Sequence, residues 1–162
     1  MSIINVNKSS ATPAPDNDCR ASWTNDTVLS FINICLDELR SQGRQDDSNS
    51  GFKPSSWTII VTKFNNSNNT TYCRQQLSSK YSDLKEKYKI FAALRDNSGF
   101  SWDDTLKMPT APADVWKAYI EANKKAAQFR HKSLQFYDEL EELFGGKVAT
   151  GKFASSSVGL AT

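Results

Sequence analysis

Histidine and cysteine are scarce in this 162-residue chain, which has one histidine, His131, and three cysteines, Cys19, Cys35 and Cys73. The cysteines are odd in number, widely spaced and without a Cys-x-x-Cys pair. With a single histidine beside them there are too few ligands for a zinc site. They read as reduced thiols, and neither metal nor cofactor is expected. No stretch approaches the roughly 18 consecutive apolar residues of a membrane span. The N-terminus lacks an apolar core of signal-peptide length, so neither membrane insertion nor secretion is expected. The seven glycines form no phosphate-cradling pattern. His131 lies in the basic run Phe129-Arg-His-Lys-Ser with no evident orienting partner, and Asp103-Asp104 are adjacent in a loop. Asp138-Glu139 and Glu141-Glu142 read as the wet face of a helix. No constellation for nucleophilic, acid-base or metal chemistry is complete, so the chain reads as a binding protein and not an enzyme.

The net charge of +2 conceals blocks. Residues 72–95 hold six basic and two acidic side chains, and residues 117–132 hold five and one. The segment between them is acidic. Two basic segments, each on or beside a predicted helix, give a local basic face rather than a generally basic protein.

Three bulky aromatics, Trp23, Trp57 and Tyr81, each fall on or at the mouth of a separate helical segment. A three-helix unit is too small to bury much surface and leans on a few large side chains. The first helix is predicted from about Thr24, its cap, to Ser41, with Val28, Ile32, Cys35, Leu36 and Leu39 on one face and Gly43 as its stop. Pro54-Ser55-Ser56 announces the second, with serine as cap and the stripe Trp57, Ile60, Val61 and Phe64, ending in an Asn65–Thr70 turn. The third, about Thr71–Asp96, carries Cys73, Leu77, Tyr81, Leu84, Tyr88, Phe91 and Arg95 on one side. One flank of that stripe holds Arg74, Ser78, Ser82, Lys85 and Lys89, the other Lys80 and Lys87, with Gln75 and Ser79 roughly opposite the core. A loop over Phe100–Ala111 leads to a fourth helix from Pro112 to about Lys124, bearing Val115, Trp116, Tyr119 and Ile120. A fifth, about Ser133–Phe144, ends at Gly145-Gly146. Nothing reads as a strand, so the fold class is all-α. Residues 1–21 and 152–162 read as disordered tails around one domain over residues 22–151.

Ordered landmarks then carry a resemblance. Trp23-Thr, Trp57-Thr-Ile-Ile-Val-Thr-Lys-Phe and Gln76-Leu-Ser-Ser-Lys-Tyr-Ser-Asp-Leu are followed by Ser98-Gly-Phe-Ser-Trp-Asp, Ala111-Pro-Ala-Asp-Val-Trp and Phe129-Arg-His-Lys. The series ends at Tyr137-Asp-Glu-Leu and Ala149-Thr-Gly. This run resembles the Myb/SANT-like DNA-binding domain, a three-helix helix-turn-helix core, here with two accessory C-terminal helices. Two departures stand out: Tyr81 where single Myb units usually have Trp, and a long loop between the first two aromatics.

The resemblance implies a nuclear protein that binds double-stranded DNA sequence-specifically through its third helix. Such a protein acts as a transcription regulator, or as an accessory encoded beside transposases of the Harbinger type. The DNA-contacting residues are then Arg74, Gln75, Ser78, Ser79, Lys80, Ser82, Lys85 and Lys89. Gln75 and Arg74 suit base edges, the serines contribute weaker contacts, and the lysines suit phosphates. Trp23, Trp57, Tyr81 and Trp116 form the structural core that positions the helix. The alternative is a SANT-type protein-interaction module that binds a chromatin factor, a histone tail or a transposase without reading DNA, in keeping with the acidic patches around Asp37-Glu38, Asp103-Asp104 and Asp138–Glu142.

Overall fold

A computed structural model describes residues 20–42 and 51–145. The expected tails fall almost wholly outside the described residues. So do the Gly43 stop, most of the Gln42–Lys53 loop, Cys19, Gly146 and the Ala149-Thr-Gly end of the resemblance.

Helix α1 spans Asn25–Gln42. Thr24 caps it as its sequence position requires: its Oγ1 accepts the Thr27 amide at 3.2 Å, and Thr27 Oγ1 accepts the Thr24 amide at 2.9 Å. Phe31, Ile32, Ile34, Cys35 and Leu36 are all buried, a wider arc than one amphipathic stripe. The breadth follows from packing on two sides, against the second helix and the last. Burial, with Glu38 beside it, raises the Cys35 thiol well above its ordinary pKa.

Helix α2 covers Pro54–Asn68. Lys53 occupies the cap position without a side-chain bond, and Ser55 and Ser56 lie inside the helix, so the expected serine cap is not used. Pro54 at the first turn has no amide that needs a partner. The helix also runs through the asparagines predicted to be a turn. They continue it because their side chains bond onward: Asn68 Nδ2 donates to Phe64 O and to Ser30 Oγ, both at 3.0 Å. Asn65 Oδ1 accepts from Thr70 Oγ1 at 2.7 Å and from the Tyr72 amide at 2.9 Å. Asn69, at φ 55°, then ends the helix in the left-handed conformation that asparagine tolerates.

Helix α3, Arg74–Asp96, begins after Cys73, whose amide donates to Gln76 Oε1 at 2.8 Å. Leu77, Tyr81, Leu84, Tyr88 and Phe91 form its buried stripe, as their spacing predicts. A short antiparallel hairpin, β1 Ser101–Asp103 with β2 Met108–Thr110, follows within the segment expected to be a loop, and the described residues are otherwise mostly helical, as the all-α reading expects. Asp103 Oδ1 shapes the hairpin turn by accepting the amides of Thr105 and Leu106, each at 2.9 Å. Helix α4, Ala113–Ala122, seats buried Trp116 edge-on to Phe100 at 4.8 Å. A 3-10 helix over Lys124–Phe129 comes next, then α5 over Tyr137–Phe144. The fifth helix starts one turn later than predicted, because Phe136 stands at φ 62° and Ser133 Oγ donates to Lys107 O at 2.9 Å.

The accessory elements share the core of the first three helices. Phe144 of α5 lies 5.2 Å from the Tyr81 ring, and Phe129 of the 3-10 helix lies 5.0 Å from Phe91. A half-buried polar knot adds to this. Tyr88 Oη donates to Glu141 Oε1 at 2.6 Å, and Arg95 Nη1 donates to the same oxygen at 2.8 Å and to Tyr137 Oη at 2.7 Å. Glu141 therefore faces the protein and not the solvent face assigned to it. Arg95, counted on the apolar stripe, ends that stripe as the charged partner of Glu141.

Candidate nucleic-acid interface

The pedestal under α3 is aromatic. Trp57, 2% exposed, meets Tyr81 edge-on at 5.5 Å, and Phe52 closes on both at 5.6 and 5.5 Å. Trp23 belongs to a second cluster with Phe31, Phe64 and Tyr72, at 5.6, 5.4 and 5.8 Å, and is only partly buried. Tyr72 locks that cluster to the segment that leads into α1, since its hydroxyl accepts the Ser22 amide and donates to Ser22 O, both at 2.9 Å. Phe52 and Tyr72 went unread in the sequence because each sits just outside a helical stripe. Gly51, at φ 90°, fits against the Tyr81 ring, where a Cβ would lie 2.7 Å from it.

The N-terminal half of α3 stands on this pedestal with its outer face open. Arg74, Gln75, Ser79 and Ser82 are exposed, and Ser78 is half-buried with its hydroxyl donating to Gln75 O at 3.3 Å. The Arg74 guanidinium lies over the Trp57 ring, 5.9 Å from its centre. This cation-π contact orients the arginine without occupying all of its donors.

The lysines divide between two flanks. Lys80 sits with its ammonium 5.4 Å from the Trp23 ring centre and 3.8 Å from Asp83, which Lys87 also approaches at 3.5 Å. Burial lowers the Lys80 ammonium below its ordinary range although Asp83 opposes the shift. Lys80 and Lys87 border a cleft of about 310 Å³ with Trp23, Phe129 and Lys132, away from the other candidates. Lys85, Lys89 and Ser82 line a groove of about 760 Å³ on the opposite flank. Lys124, Lys125 and Tyr119 form the facing wall. Burial, then repulsion from Lys89, lowers the Lys85 pKa. Lys125 Nζ donates to Glu86 Oε2, and that bond and charge hold the Glu86 carboxyl below its ordinary range.

The eight residues expected to contact DNA thus fall into an open arginine–glutamine–serine face, a lysine groove beside it, and Lys80 on the far flank. Lys124 and Lys125 were missed as site residues. Their signal in the sequence is the second basic block, residues 117–132, whose approach to the third helix depends on the tertiary fold. Among the described residues no group of three or more His, Cys, Asp or Glu could hold a metal ion, and His131 is exposed. Among the same residues no helix is long and apolar enough to cross a membrane.

The family model of the Myb/SANT-like DNA-binding domain matches residues 22–119, more than half of the chain. The chain belongs to this family. The Myb/SANT-like match covers all three pedestal helices, the hairpin and most of α4, and stops short of the 3-10 helix. The chain is similar to the L10-interacting MYB domain-containing protein of Arabidopsis thaliana, 28% identical over 130 residues, which are 80% of this chain and 28% of that protein. It is also similar to an uncharacterised Arabidopsis thaliana protein, 26% identical over 134 residues, 82% of this chain and 43% of the relative. The chain therefore spans less than half the length of either. No solved structure matches it significantly.

Proposed function

We propose that this Myb/SANT-like chain is a sequence-specific double-stranded DNA-binding protein of the nucleus, without catalytic activity. In this reading it acts in transcription regulation or as an accessory to a transposase. The observation that carries the reading is the open outer face of α3. It presents Arg74, Gln75 and three serines above a rigid ring pedestal, with a lysine groove alongside. Helices of this kind enter the major groove, where Gln pairs with adenine and Arg with guanine, while lysines fix register on phosphates. Lys80 contributes on the other backbone strand in this scheme, since it leaves α3 from the opposite flank.

A protein-interaction role is the second reading, favoured by one observation: the name of a similar Arabidopsis protein describes it as interacting with L10. A protein-binding microarray separates the two. The DNA reading requires one enriched duplex motif that Gln75→Ala degrades at a single position. Uniformly flat signals, with retained binding to a protein partner, would support the second.

A further inference from the structure

The two basic blocks of the sequence are separated by an acidic stretch, yet the fold brings them to one place. Lys85 and Lys89 of α3 face Lys124 and Lys125 of the 3-10 helix across the 760 Å³ groove. The facing wall is not a loose arm. Ala126 and Phe129 are buried, and Phe129 packs edge-on against Phe91 of α3 at 5.0 Å, so the 3-10 lysines hold a fixed place beside the third helix.

Four lysines surround the groove, and within it Lys89 repels Lys85. Among the described residues Glu86 is the single acid lining the groove, and it is bonded to Lys125. Glu121, the one acid of the second block, does not line it. The floor is apolar or neutral, with Ile90, Ala93 and Tyr119. Such a surface is complementary to a linear polyanion, with alternating sugar and phosphate along its length. The groove is too small for a duplex but open along one side of the helix proposed to enter the major groove. There the duplex backbone must run.

We propose that the 3-10 helix is a second DNA-contacting element: Lys124 and Lys125, with Lys85 and Lys89 opposite, grip one sugar-phosphate strand of the duplex that α3 reads. Lys125 exchanges its bond to Glu86 for a phosphate as the strand enters, so Glu86 acts as an internal competitor. This element lies beyond the stretch matched to the family, residues 22–119. The inference rests on the duplex-binding reading above.

The test uses the full chain and a duplex selected by the wild type, with fluorescence anisotropy over a salt series. Each phosphate contact adds about 0.9 to the slope of log affinity against log salt. Lys124→Gln with Lys125→Gln should therefore flatten the slope by about 1.8 and weaken binding about 60-fold at ~0.1 M salt, taking the ionic contribution to vanish near ~1 M. Base preference should not change. Glu86→Gln should do the reverse, tightening binding by up to about 8-fold at the same salt. All three side chains are exposed, and far-UV circular dichroism with a melt checks that the variants fold.

An unaltered slope in the double lysine variant, with Arg74→Ala still weakening binding, overturns the strand grip and leaves the α3 reading standing. Altered base preference with an unaltered slope also overturns it, because the segment would then act only by positioning α3. Weaker binding by Glu86→Gln overturns the competitor role and the grip with it. If the wild type binds no duplex, both readings fall together.

Discussion

Replacing Trp57 with alanine tests whether the aromatic pedestal is what holds the third helix. The ring is 2% exposed and packs edge-on against Phe52 and Tyr81 at 5.6 and 5.5 Å. Burying a ring of roughly 200 Å² contributes about 5 kcal/mol at 25 cal/mol per Å², an upper bound because unfolded chains also hide surface. Each edge-on ring pair adds roughly 0.5–1.5 kcal/mol. Partial collapse of the site recovers some of this, so the net cost is about 3–5 kcal/mol, the usual range for a large aromatic lost from a core. A chain of this size loses roughly 4 °C of Tm per kcal/mol, which gives a fall of about 12–20 °C. Trp23, partly buried in the other cluster, sets the contrast: Trp23→Ala should cost about 1–3 kcal/mol, since its ring gives up less surface. Thermal melts followed by circular dichroism compare the two directly. An unchanged midpoint in Trp57→Ala, or a larger loss in Trp23→Ala, would refute the assignment of Trp57 as the central ring.

Gly51→Ala should destabilise by about 2–4 kcal/mol, because φ is positive and the new Cβ meets the Tyr81 ring, and a urea titration would show it. Tyr88 supplies a pH test. Burial, then its bond to the Glu141 carboxylate, raises its pKa above the ordinary 10.0. Above pH 10 the unfolded tyrosine releases its proton while the folded one keeps it, so stability present below pH 10 is lost as pH rises further. Tyr88→Phe should lose less stability than the wild type between pH 10 and the onset of alkaline unfolding, and parallel curves would contradict the Glu141 contact.

The helices were legible because their signals are local and periodic. The 4-3-4-3-3 spacing of Leu77, Tyr81, Leu84, Tyr88, Phe91 and Leu94 reports the buried face of α3 whatever the partner. What depended on tertiary bonds was not legible. The asparagines of α2 have poor helix propensity, yet Asn65 and Asn68 are retained in the helix by bonds to Thr70, Tyr72, Phe64 and Ser30. The hairpin strands have three residues each, too few to show an alternation, and Pro109 lies in one of them. Glu141 resembles any other acid on a helix until Tyr88 and Arg95 are placed beside it. The candidate DNA face was half legible. The flanks of α3 follow from its stripe, whereas the approach of Lys124 and Lys125 depends on where the chain returns after α4.

The central claim is that the outer face of α3 reads duplex DNA. Fluorescence anisotropy of the Arg74→Ala/Lys85→Ala double variant and of Gln75→Ala, on a selected duplex across a salt series, tests it most directly. The double variant should weaken binding, flatten the salt slope by about 0.9 for the lost phosphate contact of Lys85, and relax the preference at the base pair that Arg74 reads by about 1–3 kcal/mol. Gln75→Ala should change the preference at one base pair by about 1–3 kcal/mol. Wild-type affinity and slope in the double variant, with base preference untouched by Gln75→Ala, would contradict the claim and leave α3 as a protein-binding surface.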